Sequence, residues 1–256
     1  MRDWQNRRPY QAQERAAFEQ NERRRALKAV VVGLATTVGL AALEIWQHWI
    51  EIPDAWSPLA TLRIDEKPNL LTRFKLSRLS GDGRLCGNVL STADMSFERL
   101  SDRETGPGCS FHDAVRIDGT TARVGKPFTL TCRAAVSLAL WERHVLQPAA
   151  VEYLGAPVAE LEHFGSYACR NIYNRPDATR SRHATAEAVD IAGFVLADGR
   201  RIRVMHDWSE GSDEGRFLHD VRDGACSFFD GVLSPDYNAA HRDHLHLDRG
   251  SYRMCR

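Results

Sequence analysis

Six of the ten histidines lie between positions 183 and 246, and most of these sit in two strings. The first is Ser181-Arg182-His183-Ala184-Thr185-Ala186-Glu187-Ala188-Val189-Asp190. The second is His241-Arg242-Asp243-His244-Leu245-His246-Leu247-Asp248. In a strand, side chains at i and i+2 share a face. His244, His246 and Asp248 therefore point together, while Leu245 and Leu247 enter the core. Two imidazoles on one face begin a zinc site. Catalytic zinc takes three protein ligands and keeps one position open. His183 and Asp190 can supply the missing nitrogen and oxygen, and such a site lowers the pKa of a water toward ~7. Alone, HxH or His-x6-Asp is a weak signal, since strand histidines are often simply hydrogen-bonded. Together they carry more. His and carboxylate ligands suit zinc without separating it from other divalent metals.

These residues need elements to position them. Ala188 to Val204 reads as a β-hairpin: an apolar run Ile191–Leu196, a turn at Asp198-Gly199, then Ile202 and Val204 alternating with arginines. Asp190 falls near the hairpin's start. His244 to Asp248 reads as a strand. Thr131 to Val145 has helical periodicity through Leu138, Trp141 and Val145. Pro148 breaks it and opens a second short helix through Leu154. Ser212 caps a further helix, with Asp213 and Glu214 in its first turn, an apolar face of Phe217, Leu218 and Val221, and its end at Gly224. The expected class is α+β: a small antiparallel sheet bearing the zinc site, flanked by helices. Ser181 reads as a local cap, because no base stands beside it to make it a nucleophile. Asn238 and His241 are expected either to order the loop before the strand or to support the site from behind its ligands. His206, Asp207, Trp208 and His219 could line the cleft, with a structural role expected for each ahead of a catalytic one.

The N-terminal part differs. Residues 1–28 are polar and rich in Arg and Gln, and an apolar stretch follows from Ala29 to Ile50. A helix there is about 33 Å long at ~1.5 Å per residue, enough to cross a bilayer. The long polar lead and the interfacial Trp46 and Trp49 favour a retained anchor over a cleaved signal peptide. Arg23, Arg24, Arg25 and Lys28 precede the segment and nothing comparable follows it. The positive-inside rule then places the tail in the cytoplasm and the large domain outside it. The expected division is tail 1–28, transmembrane anchor 29–50, irregular Pro-containing linker 51–68 and exported domain 69–256. All six cysteines (86, 109, 132, 169, 226, 255) lie beyond the apolar segment. That suggests disulfides of undetermined pairing in an oxidising compartment, against the alternative of buried thiols in a cytosolic protein. A formal net charge of zero argues against a nucleic-acid partner.

The string SRHATAEAVD resembles the SxHxxGxAxD motif of zinc peptidases grouped with lysostaphin, the D-Ala-D-Ala peptidases and the hedgehog signalling domain. The terminal HxH completes that pattern. More closely, residues from about 69 to 248 resemble the bacterial extensin-like C-terminal domain, through GPGC, TCRAAVSLALW, GSYACR, the SxH…D string and HRDHLHLD. The resemblance implies His183, Asp190 and His246 as metal ligands and His244 as a supporting or proton-transfer histidine. More loosely, it implies Arg170 as a stabiliser of the developing oxyanion, a role suited to a charge that never titrates away. A surface salt bridge is the alternative for Arg170. The general base is either His244 or Asp243, since relatives use both positions. The motif's glycine is Ala186 here, a mild change if its φ is negative.

The expected function is a periplasmic, inner-membrane-anchored zinc hydrolase cutting peptide bonds of peptidoglycan stem peptides or cross-links, as endopeptidase or carboxypeptidase. Two alternatives stand beside it: a peptidoglycan-binding module that keeps its zinc, and a metal-free scaffold for envelope protein partners.

Overall fold

The computed structural model describes residues 7–46, 52–251 and 253–256. The chain divides into two compact units, Met1–Pro53 and Asp54–Arg256.

In the first unit, helix α1 runs Arg7–Trp46. Its stretch Gln20–Trp46 is long and apolar enough to cross a membrane, and none of it is buried in protein. A signal sequence meets the same description. Thr36 and Thr37 donate to the Gly33 carbonyl at 2.8 and 2.9 Å, which satisfies their hydroxyls within the helix, as an apolar surrounding requires. The last four residues of the expected span, Trp49 among them, lie outside the described residues.

In the second unit, a nine-stranded sheet replaces the small one expected. The elements run in order α2 (Thr72–Ser77), α3 (Gly83–Leu90), β1 (Ser96–Arg99), β2 (Arg103–Gly106), β3 (Cys109–Phe111), β4 (Ala114–Gly119) and β5 (Arg123–Thr131). There follow α4 (Cys132–Trp141), α5 (Gln147–Leu154), β6 (Val158–Gly165), β7 (Ala188–Leu196), β8 (Arg201–Arg203), α6 (Val204–Asp207), α7 (Asp213–Ala225), β9 (Gly231–Leu233), β10 (Leu245–Asp248) and β11 (Met254–Cys255). The sheet order is β1-β4-β5-β6-β7-β10-β9-β11, with β8 on β7, and β2-β3 form a separate pair. It is mixed: β5–β6 and β9–β11 are parallel.

The expected hairpin forms as β7–β8, and Ser212 caps α7 by accepting from Gly215 N at 3.0 Å. The helical stretch departs from expectation. It does not stop at Pro148 but runs on through a π-helical turn, Glu142–Leu146, into α5. Pro148 sits in the first turn of α5, where its missing N–H has little consequence. Trp141 is fully buried, donates through Nε1 to the Val221 carbonyl at 2.9 Å, and packs on Phe194, which packs on Phe217. This cluster clamps α4 and α7 to one face of β7, each ring contributing on the order of 2–3 kcal/mol of burial.

The compact unit begins at Asp54, ahead of the expected boundary at 69. Leu62 and Ile64, in the stretch read as linker, are buried core residues. Their neighbours are tied down as well: Lys75 Nζ donates to the Asp54 carbonyl at 2.6 Å and His144 Nε2 to the Ile64 carbonyl at 2.8 Å. All six cysteines are paired, as Cys86–Cys132, Cys109–Cys169 and Cys226–Cys255.

Candidate metal centre

The centre forms where β10 lies beside β7. In that antiparallel register His246 stands directly opposite Asp190, while Leu245 faces Ile191 and Leu247 faces Val189. The leucines, Ile191 and Val189 are fully buried on the helix side. His246 and Asp190 occupy the other face, where His246 Nδ1 comes within 2.9 Å of Asp190 Oδ1. On the far side of Asp190 its partner in β6 is Gly165, at φ 106°. No side chain crowds the carboxylate from there.

His183 arrives from the 3-10 turn Arg182–Thr185 that precedes β7. Ser181 caps this turn as the sequence suggests, accepting from the His183 amide at 3.4 Å. The turn ends at Ala186, which is in the left-handed region (φ 55°, ψ 28°) and fully buried. A negative φ there, the condition for a harmless Gly-to-Ala exchange, does not hold. The turn is anchored through its backbone: Ala168 N donates to the His183 carbonyl at 3.1 Å and Thr131 N to the Ala186 carbonyl at 2.8 Å.

His183 Nε2 lies 3.2 Å from His246 Nδ1 and 3.2 Å from Asp190 Oδ2. His183, Asp190 and His246 are all buried, and their candidate ligand atoms lie within 4.8 Å of one another. Tetrahedral zinc with ligands at ~2.0–2.1 Å separates them by about 3.3 Å, so the observed spacings fit. The outer nitrogens fit too. His183 Nδ1–H donates to the Ser166 carbonyl, and His246 Nε2–H donates to Asp248 Oδ2 at 3.1 Å. Those bonds fix both tautomers, as a carbonyl or carboxylate behind a ligating histidine does. In the neutral rings, two nitrogen lone pairs then converge on a carboxylate, and three acceptors facing one another require a cation between them. The Asp248 carboxylate reaches His246 over Gly231, where a Cβ would come 2.1 Å from Oδ2.

The electrostatics agree. Burial alone would push the Asp190 carboxyl up, but the bonds from His183 and His246 hold it well below the usual carboxylate range. Burial disfavours a charged His246, yet Asp190 and Asp248 raise it to about 9. Without a metal, a proton fills the gap.

His244 stands just outside the strand. Its Nε2 lies 3.6 Å from Asp190 Oδ1, and its Nδ1 is 2.9 Å from Asp243 Oδ1. The two candidate bases are therefore coupled: the imidazole faces the centre and Asp243 lies behind it. His241 packs against both His244 and His246, with ring centroids at 5.2 and 5.9 Å. Burial and the neighbouring imidazoles lower it to about 4. Its Nδ1–H donates to Asn238 Oδ1 at 2.9 Å.

A cleft of about 900 Å³ opens over these residues, and Arg170, Tyr173 and Tyr237 line it too. Among the described residues no carboxylate pairs with Arg170. Arg180 and Arg182, at the same cleft, are engaged by the Pro107 carbonyl and by Glu187. Sequence reasoning missed Ser166 and Tyr173. Ser166 acts through its main-chain carbonyl, which no residue pattern reveals. Tyr173 carries a signal only in the backbone, where it and Asn174 take φ values of 53° and 56°. His206, Asp207, Trp208 and His219 do not line the cleft.

The family model for the Extensin-like protein C-terminus matches residues 84–256. The chain belongs to the extensin-like C-terminal family. No curated protein and no solved structure matches the chain. The matched region contains every residue of the candidate centre, all three disulfides and the sheet.

Proposed function

We propose that this extensin-like domain is a zinc-dependent hydrolase of peptide bonds in peptidoglycan stem peptides or cross-links, presented outside the cytoplasm by a single membrane-spanning helix. The observation that carries this reading is the convergence of His183 Nε2, His246 Nδ1 and the Asp190 carboxylate, with both outer imidazole nitrogens already committed. Three protein ligands beside an accessible cleft leave room for water and substrate, the arrangement of a catalytic rather than a structural zinc site. The six paired cysteines fit an oxidising compartment.

When bound, zinc supplies Lewis acidity and lowers the pKa of a nearby water. The remaining work falls to the chain. His183 and His246 are held in one tautomer by Ser166 and Asp248. His244 takes the proton of the attacking water at Nε2, while Asp243 fixes the ring by accepting from Nδ1–H, the division of labour of an acid–histidine pair. That arrangement gives both candidate bases a role. Arg170, which has no carboxylate partner among the described residues, offers its charge to the oxygen that becomes negative as the carbonyl is attacked.

The test combines metal analysis with turnover of cross-linked muropeptides. We expect about one zinc per chain, lost in the His183→Ala/His246→Ala double variant, and cleavage that disappears in His244→Ala with zinc retained. Full activity after His183→Ala or His246→Ala would overturn the mechanism. Zinc without cleavage of any muropeptide would leave a binding module.

A further inference from the structure

Strands β5 and β6 meet at a single register pair, Arg123 with Glu160. Beyond it they diverge. Between Phe128 and Arg123, β5 makes a four-residue excursion, Val124–Pro127, opposite one residue of β4. Side chains, not a neighbouring strand, then satisfy the exposed main chain. His163 Nε2 lies 2.8 Å from the Val124 carbonyl and 3.0 Å from that of Lys126, and Ser166 Oγ accepts from Thr129 N at 3.0 Å. The gap is a groove of about 600 Å³ lined by both strands, in which His163 Nδ1 is left without a hydrogen-bond partner among the described residues.

Phe164 lines the groove. The pairing of β6 with β7 skips this residue, passing from His163 to Gly165, a bulge of the kind that re-aims a side chain. Phe164 is 63% exposed and sets its ring edge-on to His244, with centroids 5.7 Å apart. Phe164 thus keeps most of its surface open while one edge contacts the candidate proton-transfer histidine. Phe164 lines the groove and His244 lines the metal cleft, so this contact is where the two meet.

Charge identifies the occupant. Glu160 is neutralised by Arg123, and Glu162 by Arg201 and Arg203. Lys126 has no carboxylate partner among the described residues and is exposed on the groove's rim. Among the described residues the groove thus offers Lys126 as a cation without a carboxylate partner and Phe164, beside Pro127 and the half-buried Tyr167, as an exposed apolar platform.

We propose that this β5–β6 groove binds an extended acidic peptide, the portion of the substrate on one side of the scissile bond, with a carboxylate at Lys126 and an aliphatic side chain on Phe164. The assignment rests on the hydrolase reading for its link to catalysis. An uncharged glycan would leave Lys126 unused.

The experiment is calorimetric titration of the zinc-loaded full-length chain in detergent, in a His244→Gln background that prevents turnover. The probes are a synthetic stem tetrapeptide carrying free carboxylates and, separately, an N-acetylglucosamine tetramer. Phe164→Ala and Lys126→Glu are each expected to weaken the tetrapeptide about tenfold, the scale of one aromatic or charged contact, with zinc content and melting temperature unchanged. The glycan is expected not to respond. Equal tetrapeptide affinity in all three proteins would overturn the proposal, as would no tetrapeptide binding at all. Glycan binding that falls in Phe164→Ala would reassign the groove to sugar. No muropeptide cleavage by the zinc-loaded chain that keeps His244, with groove binding intact, would count against the hydrolase reading alone.

Discussion

If His183, Asp190 and His246 enclose a cation, proton and zinc compete for one place, and stability must report that competition. In chelated protein the proton on His246 fills the gap, with its pKa raised to about 9. In the unfolded chain the same group titrates near 6.5. The stabilisation is therefore fully present below pH ~6.5 and is lost as pH rises through about 9. The change is about 3 kcal/mol, at ~1.4 kcal/mol for each tenfold difference in proton affinity between folded and unfolded chain. For a domain of this size that is roughly 6–12 °C in melting temperature. Asp190 works in the opposite direction. Its carboxyl is depressed, so its contribution is present above the ordinary carboxylate range and disappears only in acid.

Zinc saturation should abolish the alkaline loss, because the metal takes the place of the proton. It should also stabilise more at pH 9 than at pH 6, since at the lower pH it must displace that proton. At a free zinc concentration ~100 times Kd the gain is about 2.7 kcal/mol. The assay is calorimetric melting of the full chain across pH 6–10, with chelator and with zinc. A chelated protein whose melting temperature is flat from pH 6.5 to 9.5, or a zinc shift independent of pH, would refute the convergence argument.

Other consequences follow from single residues. Ala186→Gly removes left-handed strain of ~1–2 kcal/mol but adds ~0.4–1 kcal/mol of unfolded-chain entropy and loses one buried methyl worth ~0.8 kcal/mol. Urea unfolding should place it within about 1 kcal/mol of the parent, while Ala186→Val should be clearly destabilised. Opening Cys86–Cys132 by a double Ser substitution releases a loop spanning 46 positions. It should cost about 4 kcal/mol on chain-entropy grounds, measured by the same unfolding. Asp248→Asn keeps the shape behind His246 but weakens the bond that fixes its tautomer. Competition with a chromophoric chelator should show zinc affinity falling about 10–100-fold.

The parts of the centre visible in sequence are those governed by strand alternation. His246 and Asp248 facing away from Leu245 and Leu247 follows from a period of two, and the structure keeps it. The hairpin and the α7 cap were legible because turn and capping chemistry are local. The sheet's size was not. β4 to β6 contain Gly125 and Pro127 and carry bulges, so their alternation is broken along the stretch where it would mark a strand. Ala186 could not be judged from its type, because the conformation that taxes it is set by the turn's need to swing from His183 into β7. The early start of the compact unit rests on two side chains, Leu62 and Ile64, in a stretch whose prolines suggest a linker.

The division between sheet and loop also has a physical logic. Asp190 and His246 are cross-strand neighbours, so their spacing is set by the register of β7 and β10. A slip of one residue would place Leu245 and Leu247 at the centre and drive histidines into the core. Burial of those leucines and of Ile191 therefore specifies the placement of the two candidate sheet ligands at the same time as it stabilises the sheet. His183 and Arg170 have no such ladder. Their positions depend on hydrogen bonds from Ala168 N to the His183 carbonyl and from Ser181 N to the Arg170 carbonyl, and on the Cys109–Cys169 disulfide next to Arg170. Two of the three candidate ligands, Asp190 and His246, are built into the core's own register, and the third, His183, is held by a turn. The arginine proposed to meet a changing charge sits on a loop fixed by a cross-link and a main-chain hydrogen bond and not by the sheet.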